Sequence, residues 1–493
     1  AMISLCRMTN VRDIDTLIAI VSVIRPGAAN EDKKREFTRR YQGLSPITWP
    51  HPSLEPCLRS TFGLVVYEEH ILQICEAFAG LPGGRADVLR RSLVKENWPV
   101  VAEIREEFIA SARRRGHSDE DIAKVWQLVE GFHGYAFCKA HSTAYGVEAY
   151  QSAWLKCYFP AEFMAAVLTN GKGFYRPLVY VLECWRLGIG LLPPTVNEPG
   201  PGFVVVRGLR DRPRPASSSR VLETKPPTAK RDHEHQRRRT SEAIRVPVPY
   251  IASLTERTKE RILAERQRGR FASLTDFYLR VKPSREEMET LSRAGALDEF
   301  GQTRCEQFWE IQQLVARWGG SVEPGQGWLF AECGTRNAER GTIPHSALRA
   351  PRLTEPSRLQ RLQWEAELLG FPASGHPLEL YPDIAWDTYC PVSRLGQFIG
   401  EEVTLCGLVI EDRVHHQVTG EPMKFLTLCD WTGMVETELF AATYRSHGLA
   451  TVRYPVLEVT GRVEAYENGR GHSLRVLRAG KPLELAVLPR ELH

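Results

Sequence analysis

Two groups of cationic side chains stand beside expected helix starts, and binding an anion is the chemistry they suggest. In GGRADVLRRSLVKE (83–96), Arg91 and Lys95 share a helix face one turn apart, and Arg90 is adjacent. Gly83 and Gly84 let the backbone approach a ligand closely before the helix begins. In GYAFCKAHSTAYGVEAYQ (134–151), Lys139 and His141 come immediately ahead of an expected helix, with Tyr145 nearby. Positive groups at the positive end of a helix dipole repel it unless an anion lies between them. A triphosphate tail would suit these cations and this helix start. Two readings without a ligand compete: Asp87 pairs with Arg91 at i, i+4 on a solvated face, and the second segment is held by its own hydrogen bonds. Spacing alone leaves the choice open.

Other chemistries lack their residues. The 11 cysteines are scattered singly with no CxxC pair, which predicts reduced structural thiols rather than a disulfide framework or zinc ribbon. The sequence shows no metal-ligand cluster and no nucleophile–base pair, so neither a nuclease nor another free-standing enzyme is expected. Lys+Arg 64 against Asp+Glu 60 gives a net charge of +4, which neither demands nor excludes nucleic acid. No apolar run is long enough to span a bilayer, and AMISLCRMTN has no signal-peptide layout. The expectation is a cytoplasmic protein without membrane contact.

The elements that must position these residues change character along the chain. At 493 residues several domains are expected. Residues 1–200 read as a helical domain: 65–80 has helical spacing and stops at Gly80, and 118–132 opens with Ser118 and Asp121 spaced as a capping box. Ile122, Val125, Trp126, Val129 and Phe132 then form one apolar stripe. A helix over 142–158 is expected next, with Pro160 opening another. Residues 201–245 read as a linker, disordered because the basic, Pro- and Ser-rich run 207–245 has no apolar period.

Residues 246–318 read as two helix–hairpin–helix units, whose hairpin amides would face a DNA phosphate. Thr255 falls at the first turn, which lacks glycine, and Gly295 at the second. A plain helical hairpin is the competing reading. A connecting segment spans 319–394. Residues 395–493 contain five alternating runs that suit an OB-fold barrel. Phe425, Trp431 and Phe440 could stack bases there, with Arg413, Lys424 and Arg462 near the backbone, although alternating aromatics also build barrel cores. The fold class is therefore multidomain: mostly α-helical, with tandem hairpins, then an all-β OB-fold barrel.

The ordered blocks RPG (25–27), PHPSLEPCL (50–58), FGLVVYEE (62–69), GGRADVLRRSLVKE, GYAFCKAHSTAY and AWLKCYFPAEFMAAVLT (153–169) resemble the fingers of bacterial DNA polymerase III alpha subunits, the C-family replicative polymerases. The likeness continues through LECWRLGIGLLPPTVN (182–197), the hairpins, LLGFPASGHPLELY (368–381) and the barrel. It implies that Arg25, Arg90, Arg91, Lys95, Lys139 and His141, with Tyr145, bind the triphosphate of an incoming dNTP. The chain departs from the pattern at Cys138, at Glu68-Glu69-His70 where the family has Gln-Glu-Gln, and after RPG.

The resemblance also implies palm carboxylates holding magnesium for in-line phosphoryl transfer. The matched blocks begin about where the palm ends, and Asp13 and Asp15 read as surface acids of a fingers helix. No catalytic residue, metal ligand or cofactor is therefore expected in this chain. Magnesium is expected only with a palm-bearing chain, and the chain alone is expected to be inactive. Gln326, Trp328, Leu329 and Phe330 resemble the peptide by which replication proteins dock a sliding clamp, the competing reading being a small satellite core. Expected partners are primer–template and single-stranded DNA, dNTP, the clamp and a palm-bearing polymerase chain. The alternative is a non-catalytic DNA- and clamp-binding accessory descended from a polymerase.

Overall fold

A computed structural model describes residues 6, 9, 11–23, 31–131, 138–171, 173–198, 200–208, 242–318, 354–417, 419–465 and 471–485. Arg25, Phe132 and the stretch 326–330 lie outside these residues. The chain clusters into two compact units, one built mainly from residues 1–158 and the other mainly from residue 159 onward.

The first unit is helical. Helix α1 (Ile14–Val23) begins where Asp13 accepts from the Thr16 backbone N–H at 2.7 Å, and α2 (Glu31–Tyr41) follows. Asp13 and Asp15 are both exposed, and Asp13 thus caps a helix. Helix α3 (Glu69–Ile74) runs into a π-helical turn, Cys75–Ala79, which Gly80 ends at φ +66°. That left-handed value favours glycine, so the helix stops where the sequence predicts. Next come α4 (Gly83–Val94), α5 (Trp98–Arg114) and α6 (Asp119–Glu130). Ser118 caps α6 by accepting from Asp121 N–H at 3.1 Å, and Ile122, Val125, Trp126 and Val129 are buried against Ile104 and Phe108. A second core joins Ile18, Ile20, Phe37 and Tyr67. The 20-residue helix α7 (Lys139–Tyr158) lies against α1 through its two buried residues, Ser142 and Gly146.

In the second unit, Pro160 opens α8 (Pro160–Asn170), followed by α9 (Pro177–Arg186). A three-stranded sheet has the order β1-β3-β2, from β1 (Gly190–Leu192), β2 (Val204–Arg207) and β3 (Glu242–Arg245). β1 runs parallel to β3, and β2 antiparallel. The ends of the expected linker 201–245 are therefore strands. Ile244 is fully buried in the same core as Val181 and Phe277, and burying it outweighs the basic composition around it. Residues 209–241 lie outside the described residues.

Helices α10 (Glu256–Arg268), α11 (Leu274–Val281), α12 (Arg285–Arg293), α13 (Arg304–Trp318) and α14 (Arg358–Leu369) follow. Five strands then close a barrel in the order β4-β5-β6-β8-β7. They are β4 (Glu402–His416), β5 (Pro422–Cys429), β6 (Met434–Leu439), β7 (Val456–Ala465) and β8 (His472–Gly480), with α15 (Ala441–His447) after β6. This is an OB-like barrel behind a helical chain, and each strand falls on one of the alternating runs. Leu182, Leu378 and Ile384 share a core with Cys406, Leu408 and Val456, packing barrel strands onto the preceding segment. No helix among the described residues is long and apolar enough to cross a membrane.

Candidate functional site

The anion at the start of α7 belongs to the protein itself. The Lys139 backbone N–H donates to both oxygens of Glu69, at 2.8 and 2.9 Å, and the Cys138 thiol donates to Glu69 Oε1 at 3.3 Å. A carboxylate from the first turn of α3 thus caps the positive end of α7. The Lys139 ammonium sits 5.5 Å from the centre of the Tyr67 ring. Buried His70 accepts at Nδ1 from the N–H groups of Val66 and Tyr67, at 3.2 and 3.4 Å. Burial, and then the charge of Lys139, holds its pKa down at about 3, so the imidazole is neutral near pH 7.

A close seam between helices sets where α7 lies. The hydroxyls of Ser22 and Ser142 are hydrogen-bonded across it. A Cβ on Gly146 would come within 2.7 Å of Ile18 Cγ1, so this close approach needs glycine. His141 and Tyr145 stand edge to face with ring centres 4.6 Å apart, and Tyr145 is 53% exposed.

The cations of α4 are also engaged. Arg90 donates from Nε and Nη2 to Asp87 Oδ1 at 2.9 and 2.8 Å, and from Nη1 to Glu68 Oε2 at 2.5 Å. Arg91 pairs with Asp87 Oδ2 at 2.7 Å while 65% of its side chain stays exposed. The hydrogen bonds from Arg90, then the charges of both arginines, hold the Asp87 carboxyl below its ordinary pKa. Lys95 is exposed at the C-terminal cap of α4. Both readings that need no ligand therefore have their bonds in place, and adjacent acids tie the two clusters together. Glu68 reaches Arg90, Glu69 reaches the start of α7, and ligand atoms of Glu68, Glu69 and Cys138 lie within 4.8 Å of one another. That trio does not suit magnesium: a thiol is a soft ligand, and both carboxylates already accept from donors beside fixed positive charge.

The hairpins use their own polar groups. Thr255 caps α10, and its N–H and Oγ1 both donate to Glu287 Oε1, at 2.9 and 2.7 Å. Glu287 also accepts from Thr258 Oγ1 at 2.8 Å and Ser284 N–H at 2.9 Å, joining the two hairpins. Burial pushes this carboxyl's pKa up, but those bonds outweigh it and the net direction is down. Gly295 adopts φ +80°, and its N–H donates to Ser292 O at 3.0 Å, while Ala296 N–H donates to Leu291 O at 2.9 Å. The Gly295 amide closes the end of α12, and the residue is glycine because the turn is left-handed.

Two barrel expectations change. Lys424, only 3% exposed, points inward and binds Asp412 at 2.8 Å and Thr451 Oγ1 at 3.1 Å, so it is not placed along a nucleic-acid backbone. Trp431 stacks on His376 at 4.7 Å, where the barrel meets the preceding segment, so its ring is taken by packing. Arg413 and Phe425 are cross-strand neighbours, with the guanidinium 5.6 Å from the ring centre. Glu438 lies opposite Phe425 on β6. Phe440 lies beneath Arg475, 4.7 Å away, and exposed Arg462 donates to Gly400 O at 2.9 Å. Sequence reasoning missed Glu287 and the bonds made by Glu68 and Glu69, because those pairings cross between elements. Arg475 alternates along β8 as other surface residues do.

Residues 1–116 match the finger domain of the bacterial DNA polymerase III alpha subunit, and residues 188–307 match a helix-hairpin-helix motif. With the OB-like barrel behind them, these matches place the chain in the bacterial DNA polymerase III alpha-subunit family. It is similar to the DNA polymerase III subunit alpha of Thermus aquaticus, at 31% identity over 94% of this chain and 35% of the relative. The proteins of that name from Aquifex aeolicus and Saccharopolyspora erythraea are 29% and 30% identical, over 87% and 92% of this chain and 33% and 36% of those relatives. The chain thus spans about a third of the length of the curated relatives it matches.

Proposed function

We propose that this chain supplies incoming-nucleotide, DNA and sliding-clamp binding to a DNA polymerase III alpha-type enzyme acting in replication or error-prone repair. The observation that carries the reading is the finger-domain match over residues 1–116, which includes the α4 cations. Exposed Arg91, Lys95 and Lys139 then meet the triphosphate, while the hairpin region and the outer barrel face around Arg413 and Phe425 meet DNA. The palm carboxylates and their magnesium then carry out the phosphoryl transfer in that enzyme. The 326–330 motif docks the clamp.

A second reading, a non-catalytic DNA- and clamp-binding accessory, is favoured by one feature: Arg90 is already neutralised by Glu68 and Asp87. Mixing the chain with a palm-bearing polymerase chain separates the two. Under the first reading, primer extension is restored, and Arg91→Ala or Lys139→Ala raises the dNTP concentration needed for half-maximal extension about tenfold. DNA binding without any restored extension favours the accessory, and dNTP dependence unchanged by both substitutions removes the triphosphate assignment.

A further inference from the structure

We infer that Glu68 sets the anion affinity of the finger cations by holding Arg90 in an ion pair that an incoming phosphate must displace. This rests on the nucleotide-binding reading above and deepens it. Arg90 presents two edges to its neighbours. One, Nε with Nη2, is taken by Asp87 from the same helix, and Nη1 on the other is taken by Glu68. A phosphate that engages a guanidinium through two parallel bonds needs one whole edge. Asp87 is fixed in place because it also holds Arg91, whereas Glu68 reaches Arg90 through one bond from the cap position of another helix, α3. Glu68 is therefore the acid that yields.

The two side chains are only 21% and 22% exposed, so their attraction is less screened than that of a pair on the open surface. Glu69 does not compete in the same way, because it binds the backbone at the start of α7 and would leave that helix end uncapped. The two neighbouring carboxylates thus divide the work, Glu69 fixing the helix and Glu68 occupying the arginine.

Calorimetric titration of the full 493-residue chain with dATP and magnesium tests this. Glu68→Gln keeps the shape and an acceptor for Arg90 but removes the charge, and should tighten dATP about fivefold. Adding Arg90→Ala should erase the gain. Glu68→Asp, with shorter reach and the charge kept, should tighten about twofold, and it carries the test if the Gln variant is misfolded. If the wild type binds dATP and a folded Glu68 variant binds it no better, the inference falls and the nucleotide reading stands. If neither the wild type nor the variants bind dATP, both fall.

Discussion

At the start of α7, a backbone amide, a thiol and a carboxylate satisfy one another, and Lys139 adds its charge above Tyr67 without touching that carboxylate through its side chain. Asp87 was legible as a partner because i, i+4 spacing fixes its distance from Arg91. Glu69 was not, since 70 residues separate it from Lys139 and only the fold brings them together. His70 gives a prediction at this scale. Its folded pKa of about 3 lies below an unfolded value of about 6.5, so the unfolded chain takes up the proton first as pH falls. Its contribution is complete above about pH 6.5 and drains away below that, by about 2 kcal/mol between pH 7 and pH 5. Urea unfolding at both values should show that loss, and His70→Gln should remove it from the pH difference.

At the scale of elements, helix and strand positions were readable because period and caps are local. Ser118, Gly80 and Pro160 punctuate the helices where their chemistry demands, and every barrel strand coincides with an alternating run. What alternation could not supply is which face of a strand points inward near the barrel end. Lys424 shares its parity with Leu426 and Leu428, and its ammonium is accepted inside only because Asp412 and Thr451 meet it there. The expected linker ends failed for a related reason: four-residue strands are too short for composition to reveal. Filter binding of single-stranded DNA over a range of salt should separate these barrel positions. Arg413→Ala should lower the slope of log affinity against log salt by about one, whereas Lys424→Met should leave it where it was. Equal effects from both would contradict the inward placement of Lys424.

For the molecule as a whole, the readings attach to separate stretches of chain, and that modularity makes its own prediction. Leu329→Ala with Phe330→Ala should abolish clamp capture while single-strand DNA affinity stays within about twofold of the wild type, since no residue is shared between the two surfaces. Parallel loss of both would mean that the motif supports the fold instead of a partner. The family relationship is legible in the amino-acid sequence because many ordered blocks agree along most of the chain. The ion pairs that temper the finger cations are not, because neutralising acids look like any other surface carboxylates until the helices are packed.

The strand order of the barrel carries one more consequence. Because β8 fills the gap between β6 and β7, the last of the five barrel strands to leave the ribosome is the one that completes the ring. Until residues 472–480 emerge, the nascent chain presents two unpaired edges, the state most open to mispairing with a neighbour during translation.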